Sequence, residues 1–265
     1  VFSVMAYTVS LQTHDIGIFS DELREHCTDW PSLYHLSATR SNILRPLESL
    51  LAGDILEIGA GCGAITRFLG ETGANVLALE GSPRRASIAR SRTRDLPNVT
   101  VLAEKFDQFP GGLKFDVITL IGVLEYANLF TPGENAAKTM LEQVRALLKP
   151  GGKLIIAIEN QLGLKYFAGA PEDHLGIAMY GVEGRYRANE PQTFGRKALT
   201  DIMVSAGYPG VAFLAAFPDY KLPRSIISEA GMLASDFDAS ALAWQSASAD
   251  PQLPRDATFA VQLAW

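Results

Sequence analysis

The sequence predicts an α/β protein with a doubly wound, mostly parallel sheet. Three observations carry that prediction. From residue 53 onward, short apolar runs of strand character alternate with stretches of helical period. The first run, Ile55-Leu56-Glu57-Ile58, leads into glycines at alternate positions, Gly59, Gly61 and Gly63. The next run ends in an acid, Glu80, 21 positions after Gly59. Glycines there let the backbone turn tightly and approach a ligand that side chains would block. A strand, a glycine turn and a helix make a nucleotide-type site at the carboxyl edge of a sheet, and an acid ending the second strand is spaced to accept ribose hydroxyls.

Taken in order, residues 1–20 lack a clear period and read as an extended arm or hairpin, and 21–30 as a solvent-facing helix. Pro31 suits a first helical turn. Leu33, Leu36, Ile43, Leu44 and Leu47 give an apolar face to a helix running through Pro46, so residues 1–50 read as an arm and a helical lid. Residues 51–265 read as the main domain. Its strands are expected at 53–58, 75–80, 99–103, 115–121, 153–158 and 211–217, with a seventh at 258–265. Helices are expected after the glycine turn, at 82–95 with Ser82 as N-cap and Pro83 at N1, at 133–148, and at 196–206 before Gly207. Lys149-Pro150-Gly151-Gly152 is read as the stop of the 133–148 helix. Residues 159–195 form a long insertion after the fifth strand, rich in Gly, Tyr and charge, and irregular stretches of that length are usually functional.

Composition narrows the function classes. Of 265 residues, 48% are hydrophobic and 20% charged, enough apolar material for a sizeable core. A net charge of −6 argues against a general nucleic-acid binder. The basic runs at 84–85 and 90–94 read as solvated helix faces. No apolar run reaches the length of a membrane span. Cys27 and Cys62 form no CxxC pair, so a reduced, cytoplasmic protein is the expectation. The chain starts without Met and stops on Ala264-Trp265, which reads as a fragment of a longer polypeptide.

The turn formally satisfies GxGxxG/A as Gly59, Gly61 and Ala64, which also suits a dinucleotide. Glu57 argues against one, because two residues before Gly59 its charge would oppose a pyrophosphate. A ligand with an ammonium and a sulfonium, and no phosphate, tolerates it, and S-adenosylmethionine is such a ligand. Leu56-Glu57-Ile58-Gly59-Ala60-Gly61-Cys62-Gly63, Glu80, Phe115-Asp116-Val117-Ile118 with Val123-Leu124-Glu125-Tyr126, and Leu148-Lys149-Pro150-Gly151-Gly152-Lys153-Leu154 together resemble the class I S-adenosylmethionine-dependent methyltransferases. The resemblance covers 53–160 and, more weakly, about 190–217.

That resemblance implies a Rossmann-like, seven-stranded sheet with a reversed final hairpin. It implies that Gly59, Ala60, Gly61 and Gly63 line the cofactor, that Glu57 lies near its methionine part, and that Glu80 binds the ribose hydroxyls. Gly81 and Ser82 would lie beside the adenine, with Glu104, Lys105 and Phe106 on its other face. Many members carry an acid after the third strand to read the adenine amine; here the register gives Lys105 or Phe106, with Glu104 or Asp107 as substitutes. Gly122, Val123, Glu125 and Tyr126 would sit beneath the methyl group. For Tyr34 and Arg40 two readings stand: cover over the ligand with the arginine on its carboxylate, or a packed tyrosine and a surface arginine.

Residues 159–174, with Phe217-Pro218-Asp219-Tyr220-Lys221-Leu222-Pro223, resemble methyltransferase modules of bacterial surface-polysaccharide assembly, often fused or adjacent to glycosyltransferases. This implies O-methylation of a saccharide, with a polyketide or quinone-like acceptor or a non-catalytic cofactor-binding module as alternatives. A hydroxyl nucleophile profits from a base. His174 is the histidine of the insertion and the candidate base, with Asp173 to orient it or to act itself. The structural alternative is an acidic cluster bonding the insertion's own backbone. Glu159, Asp173 and His174 also make a possible Mg²⁺ or Mn²⁺ set, which is not the favoured reading. Tyr166, Phe167, Tyr180, Tyr186 and Phe194 read either as an acceptor wall or as a small core.

Overall fold

The computed structural model describes residue 9 and residues 12–247. The chain divides into two compact units, residues 1–123 with 144–157, and residues 124–143 with 158–265.

The first unit begins with α1 (Asp21–Glu25) and α2 (Trp30–Leu36). Asp29 starts α2 through a capping box: Ser32 N–H donates to Asp29 Oδ1 at 2.9 Å, and Asp29 N–H to Ser32 Oγ at 2.9 Å. The expected single helix through Pro46 breaks at Ser37, whose ψ of 139° is extended, and continues as two 3₁₀ segments, Ala38–Ile43 and Arg45–Leu50.

Five parallel strands follow: β1 (Asp54–Ile58), β2 (Asn75–Leu79), β3 (Val99–Leu102), β4 (Phe115–Ile121) and β5 (Leu148–Ala157). Their spatial order is β3-β2-β1-β4-β5. Order reverses between β1 and β2 on one side and β4 on the other, the switch point at which ligands bind in open α/β sheets. Ile55, Leu56, Ile118 and Leu120 are fully buried, as expected of parallel strands covered on both faces. α3 (Ala64–Glu71) buries Ile65, Phe68 and Leu69 and packs against β2 and α4 (Pro83–Arg92). Each large side chain so buried contributes roughly 1.5–3 kcal/mol. At the opposite edge, Lys149 Nζ donates to Asp54 Oδ2 at 2.7 Å and Asp116 Oδ2 at 2.8 Å, clipping the starts of β1, β4 and β5.

Lys149-Pro150-Gly151-Gly152 is not a post-helical turn. It is the first part of β5, with a register shift opposite residues 115–117 and Gly151 at a φ of 79°. The pattern of Pro and Gly, which reads as a stop, here makes a bulge in an edge strand.

The second unit carries α5 (Ala127–Phe130), most of α6 (Ala136–Ala146), α7 (Leu164–Phe167), α8 (Arg196–Ser205), β6 (Leu214–Phe217), β7 (Ser225–Ser228), α9 (Glu229–Met232) and α10 (Ala239–Ala247). β6 pairs antiparallel with β7 as a separate two-stranded sheet. Of the seven strands expected, five form the parallel sheet among the described residues, and the strand expected at 211–217 pairs with β7 instead. Strand Ser225–Ser228 is not among the strands expected from the sequence, and the strand expected at 258–265 lies outside the described residues.

Candidate functional site

In the first unit, β1 delivers Glu57 and then the turn. Gly59, Gly61 and Gly63 have φ of 83°, 56° and 82°, a region costly to residues with a Cβ. The three glycines answer different demands. A Cβ on Gly59 would stand 2.5 Å from Val123 Cγ2, and one on Gly63 2.7 Å from the Ala89 Cα. One on Gly61 would meet nothing within 4 Å. Packing therefore requires Gly59 and Gly63, while Gly61 borders open space through which a ligand can reach the backbone.

Glu80 braces this turn. Gly61 N–H donates to its Oε2 at 2.9 Å, Ser82 N–H to its Oε1 at 2.8 Å, and Arg85 Nη2 to the same Oε1 at 2.7 Å. The N–H groups of Gly59 and Ala60 both donate to Leu79 O at 2.9 Å. Oε2 of Glu80 retains accepting capacity, since each carboxylate oxygen has two lone pairs. Lys105 lies beside Gly81, whose Cβ would be 3.3 Å from Lys105 Cγ. Glu104 is half-buried and accepts from Lys105 N–H at 3.1 Å, and Phe106 is half-buried.

Glu57 is buried, and its Oε2 has no hydrogen-bond partner among the described residues. Burial pushes its carboxyl up to about 7, with Thr66 and Arg40 pulling down and Glu80 adding to the rise. An orphaned buried acceptor of this kind suits a cationic or hydrogen-bond-donating ligand group. Arg40 is 3% exposed; its Nη2 donates to Tyr34 OH at 3.3 Å, and its guanidinium lies 4.7 Å from the Tyr34 ring centroid. The surface-arginine reading fails: Arg40 is buried against a half-buried Tyr34.

In the basic runs at 84–85 and 90–94, Arg84, Arg85, Arg90 and Arg94 are exposed as expected, and Arg92 departs. Arg92 is 1% exposed and donates through Nη1 to His35 O. Burial lowers it to about 10, and burial with Arg92 lowers His35 to about 4. Arg67, likewise buried, donates to Glu71 Oε1 at 2.6 Å, to Arg92 O at 3.2 Å and to Asp95. The available signal was periodicity: Arg92 follows buried Ile88 by four residues and Ala89 by three.

In the second unit, the insertion gathers an ionic cluster. Glu172 anchors His174: Nδ1 lies 3.0 Å from Glu172 Oε1, and the backbone N–H groups of His174 and Leu175 donate to Oε2 at 2.8 and 2.7 Å. The expectation that Asp173 orients His174 is corrected, because Asp173 faces other partners. Lys165 Nζ and Lys221 Nζ each approach it to 2.8 Å, and Tyr166 OH donates to its Oδ2 at 2.6 Å. Burial opposes its ionisation, but Lys221 and Lys165 outweigh that and hold it well below the usual carboxylate range. Lys165 also bonds Asp219 at 2.6 Å, and Lys221 bonds Glu159.

Glu125 and Tyr126, expected beside the methyl group, belong to this second unit and join the cluster there. Glu125 is 2% exposed, and its Oε1 lies 3.9 Å from His174 Nε2 and accepts from Tyr220 OH at 3.5 Å. Burial, then Glu159, pushes its carboxyl up. Burial disfavours the charged imidazole of His174, yet Glu172, Glu159 and Glu125 raise it overall. The Tyr126 ring meets His174 edge-on at 5.2 Å. The ligand atoms that lie together are those of Glu125, Glu159 and His174, with Glu125 where Asp173 was expected. Of the expected aromatic wall, Tyr166 and Tyr186 hydrogen-bond acids of this cluster, Tyr186 OH donating to Glu172 Oε1 at 3.2 Å. Tyr180 donates to Glu190 at 2.8 Å and stacks edge-on against Tyr186.

Residues 56–154 match a family model described as a methyltransferase domain. A demethylmenaquinone methyltransferase from Tropheryma whipplei (strain Twist) is 35% identical over 104 residues, 39% of this chain and 40% of the relative. A ribosomal RNA small subunit methyltransferase A from Streptococcus sanguinis is 40% identical over 68 residues, 24% of this chain and 23% of that one. The chain thus spans two fifths or less of the length of these curated relatives. Among solved structures, the N-methyltransferase NodS from Bradyrhizobium japonicum WM9 with S-adenosyl-L-homocysteine aligns over 79% of this chain and 87% of its own, at 17% identity and a TM-score of 0.47. Residues 56–154, a stretch that includes the glycine turn and Glu80, are thus similar to a methyltransferase domain.

Proposed function

We propose that the chain is an S-adenosylmethionine-dependent methyltransferase acting on a small-molecule acceptor, and that the acceptor is a saccharide hydroxyl. One observation carries the cofactor half of the reading. The turn after β1 combines an open Gly61, a Glu80 brace and, at Glu57, a buried carboxylate oxygen with no partner among the described residues. That donor-hungry acid favours a ligand bearing an ammonium and disfavours one bearing a pyrophosphate. Gly59, Ala60, Gly61 and Gly63 would line it, Oε2 of Glu80 would take a ribose hydroxyl, and Gly81, Ser82 and residues 104–106 would flank the base. The bound cofactor supplies an electrophilic methyl group. The acceptor oxygen must lose a proton to a base.

The saccharide half rests on the resemblance of residues 159–174 and 217–223 to polysaccharide-assembly modules. A quinone-like acceptor is the second reading, favoured by the 104-residue similarity to a demethylmenaquinone methyltransferase. Incubation with methyl-labelled S-adenosylmethionine and two acceptor panels, lipid- or nucleotide-linked saccharides and demethylated quinones, separates them. Label on a sugar oxygen supports the first reading, label on a quinone ring carbon the second. Absence of any transfer by a protein that binds the cofactor overturns both in favour of a non-catalytic module.

A further inference from the structure

We propose that Glu125, Glu159 and His174 form a binding site for one divalent first-row cation, of the Mn²⁺ type. The inference rests on the geometry of the second unit and is independent of methyl transfer. One atom from each of these side chains lies within 4.8 Å of the other two. In each, one polar atom already has a neighbour. Glu159 Oε1 accepts from Lys221, leaving Oε2 buried with no partner among the described residues. Glu125 Oε1 accepts from Tyr220 OH at 3.5 Å, and its Oε2 is likewise buried and unpartnered. The carboxylate side chains are each 1% exposed. His174 Nδ1 is held by Glu172 at 3.0 Å, which leaves Nε2 3.9 Å from Glu125 Oε1, beyond hydrogen-bond distance.

Two unpartnered carboxylate oxygens, on side chains more than nine-tenths buried, are costly, and a cation held by the two acids would remove that cost. Ligand atoms around a single ion stand roughly 3–4.2 Å apart at metal–ligand distances of about 2.1 Å, so the observed spacing needs little contraction. The Glu172–His174 pair is the carboxylate–imidazole support that fixes the tautomer of metal-bound histidines. Two carboxylates with one imidazole suit Mn²⁺ better than Mg²⁺, which prefers oxygen alone, or Zn²⁺ in its thiolate and imidazole sites.

The test is titration of the metal-stripped protein with Mn²⁺, followed by the electron paramagnetic resonance signal of the free ion. One Mn²⁺ should bind per chain. Glu125→Gln and Glu159→Gln should each weaken binding about tenfold or more, and Glu172→Gln about 10–100-fold. Lys197→Ala, in an exposed pair with Asp201, should leave it unchanged. Co²⁺ in the wild-type protein should show d–d absorption bands, which His174→Gln should shift. No binding of Mn²⁺ by the folded wild type at millimolar concentration would overturn the proposal. Binding that the Glu125 and Glu159 variants leave unaltered would do the same. If the variants do not fold, the wild-type titration and the Co²⁺ spectrum decide.

Discussion

Glu80 accepts a hydrogen bond from the backbone N–H of Gly61 across 2.9 Å, joining the end of β2 to the turn after β1. The same carboxylate receives Ser82 N–H and the Arg85 guanidinium. Glu80→Ala should therefore act twice. It leaves two backbone donors short of a partner, costing roughly 1–3 kcal/mol of stability by urea denaturation. It should also lower affinity for S-adenosylhomocysteine by about tenfold or more, a drop equivalent to about 1.4 kcal/mol. Glu80→Gln, which retains one acceptor oxygen, should fall between.

The glycines of the turn should separate stability from binding. Gly59→Ala and Gly63→Ala drive a Cβ into Val123 and into the Ala89 backbone, and each should destabilise by about 2–4 kcal/mol, summing overpacking and positive-φ strain. Gly61→Ala meets open space and bears only the conformational cost, about 1–2 kcal/mol. Its larger effect should be on ligand affinity, because the added methyl stands where a ligand approaches. Thermal melts with and without S-adenosylhomocysteine distinguish the two patterns.

Glu57 predicts a pH dependence of the ligand-free protein. Its carboxyl lies at about 7 in the folded chain against an ordinary 4.5, so the native state holds the proton more tightly than the unfolded state. Its contribution is fully present below about pH 4.5 and is lost as pH rises through 7, by on the order of 3 kcal/mol. His35, held at about 4 against an ordinary 6.5, contributes in the opposite sense, with stability falling as pH drops from 6.5 to 4. Denaturation curves from pH 4 to 8 for Glu57→Gln should show the high-pH loss removed, and those for His35→Gln the low-pH loss removed.

Asp173 should behave as a structural ion. It bridges Lys165, Lys221 and Tyr166 in a buried setting, and Asp173→Ala should cost about 3–5 kcal/mol by leaving two buried ammonium groups short of a counter-charge. Asp173→Asn should cost less, since the amide oxygen still accepts from Tyr166. A full loss of activity with unchanged stability would instead assign Asp173 to the chemistry.

Those residues also mark how far the sequence could be read. The parallel strands and the glycine turn were legible because local signals coincide there: apolar runs, alternating glycines, and an acid at the right spacing. Pro31, Ser82 and Pro83 marked helix starts for reasons contained within one turn of chain. The register of β5 was not legible, because whether Lys-Pro-Gly-Gly stops a helix or bulges a strand depends on pairing with β4, distant in sequence. Nor was the pairing of β6 with β7, since Ser-Ile-Ile-Ser is too short to announce a strand.

The site followed the same division. Glu80 was named from its spacing and Glu57 from its charge next to the turn, and the resemblance implied what each would bind. The assignment of Glu172 rather than Asp173 to His174 could not be, because adjacent carboxylates differ only in the direction the backbone turns them. Glu125 and His174, and Lys221 with Glu159 and Asp173, lie far apart in sequence and meet only in the folded chain. Buried Arg40 and Arg92 ran against the general rule that arginines are exposed, and only their three- and four-residue spacing from apolar neighbours pointed inward.

The central claim is that the turn bounded by Glu57, Gly61 and Glu80 takes S-adenosylmethionine and not a dinucleotide. Calorimetric titration of the protein with S-adenosylhomocysteine and, separately, with NAD tests it most directly. The account predicts saturable binding of S-adenosylhomocysteine, weakened by Glu80→Ala, and no measurable heat with NAD. Saturable binding of NAD with none of S-adenosylhomocysteine would contradict it.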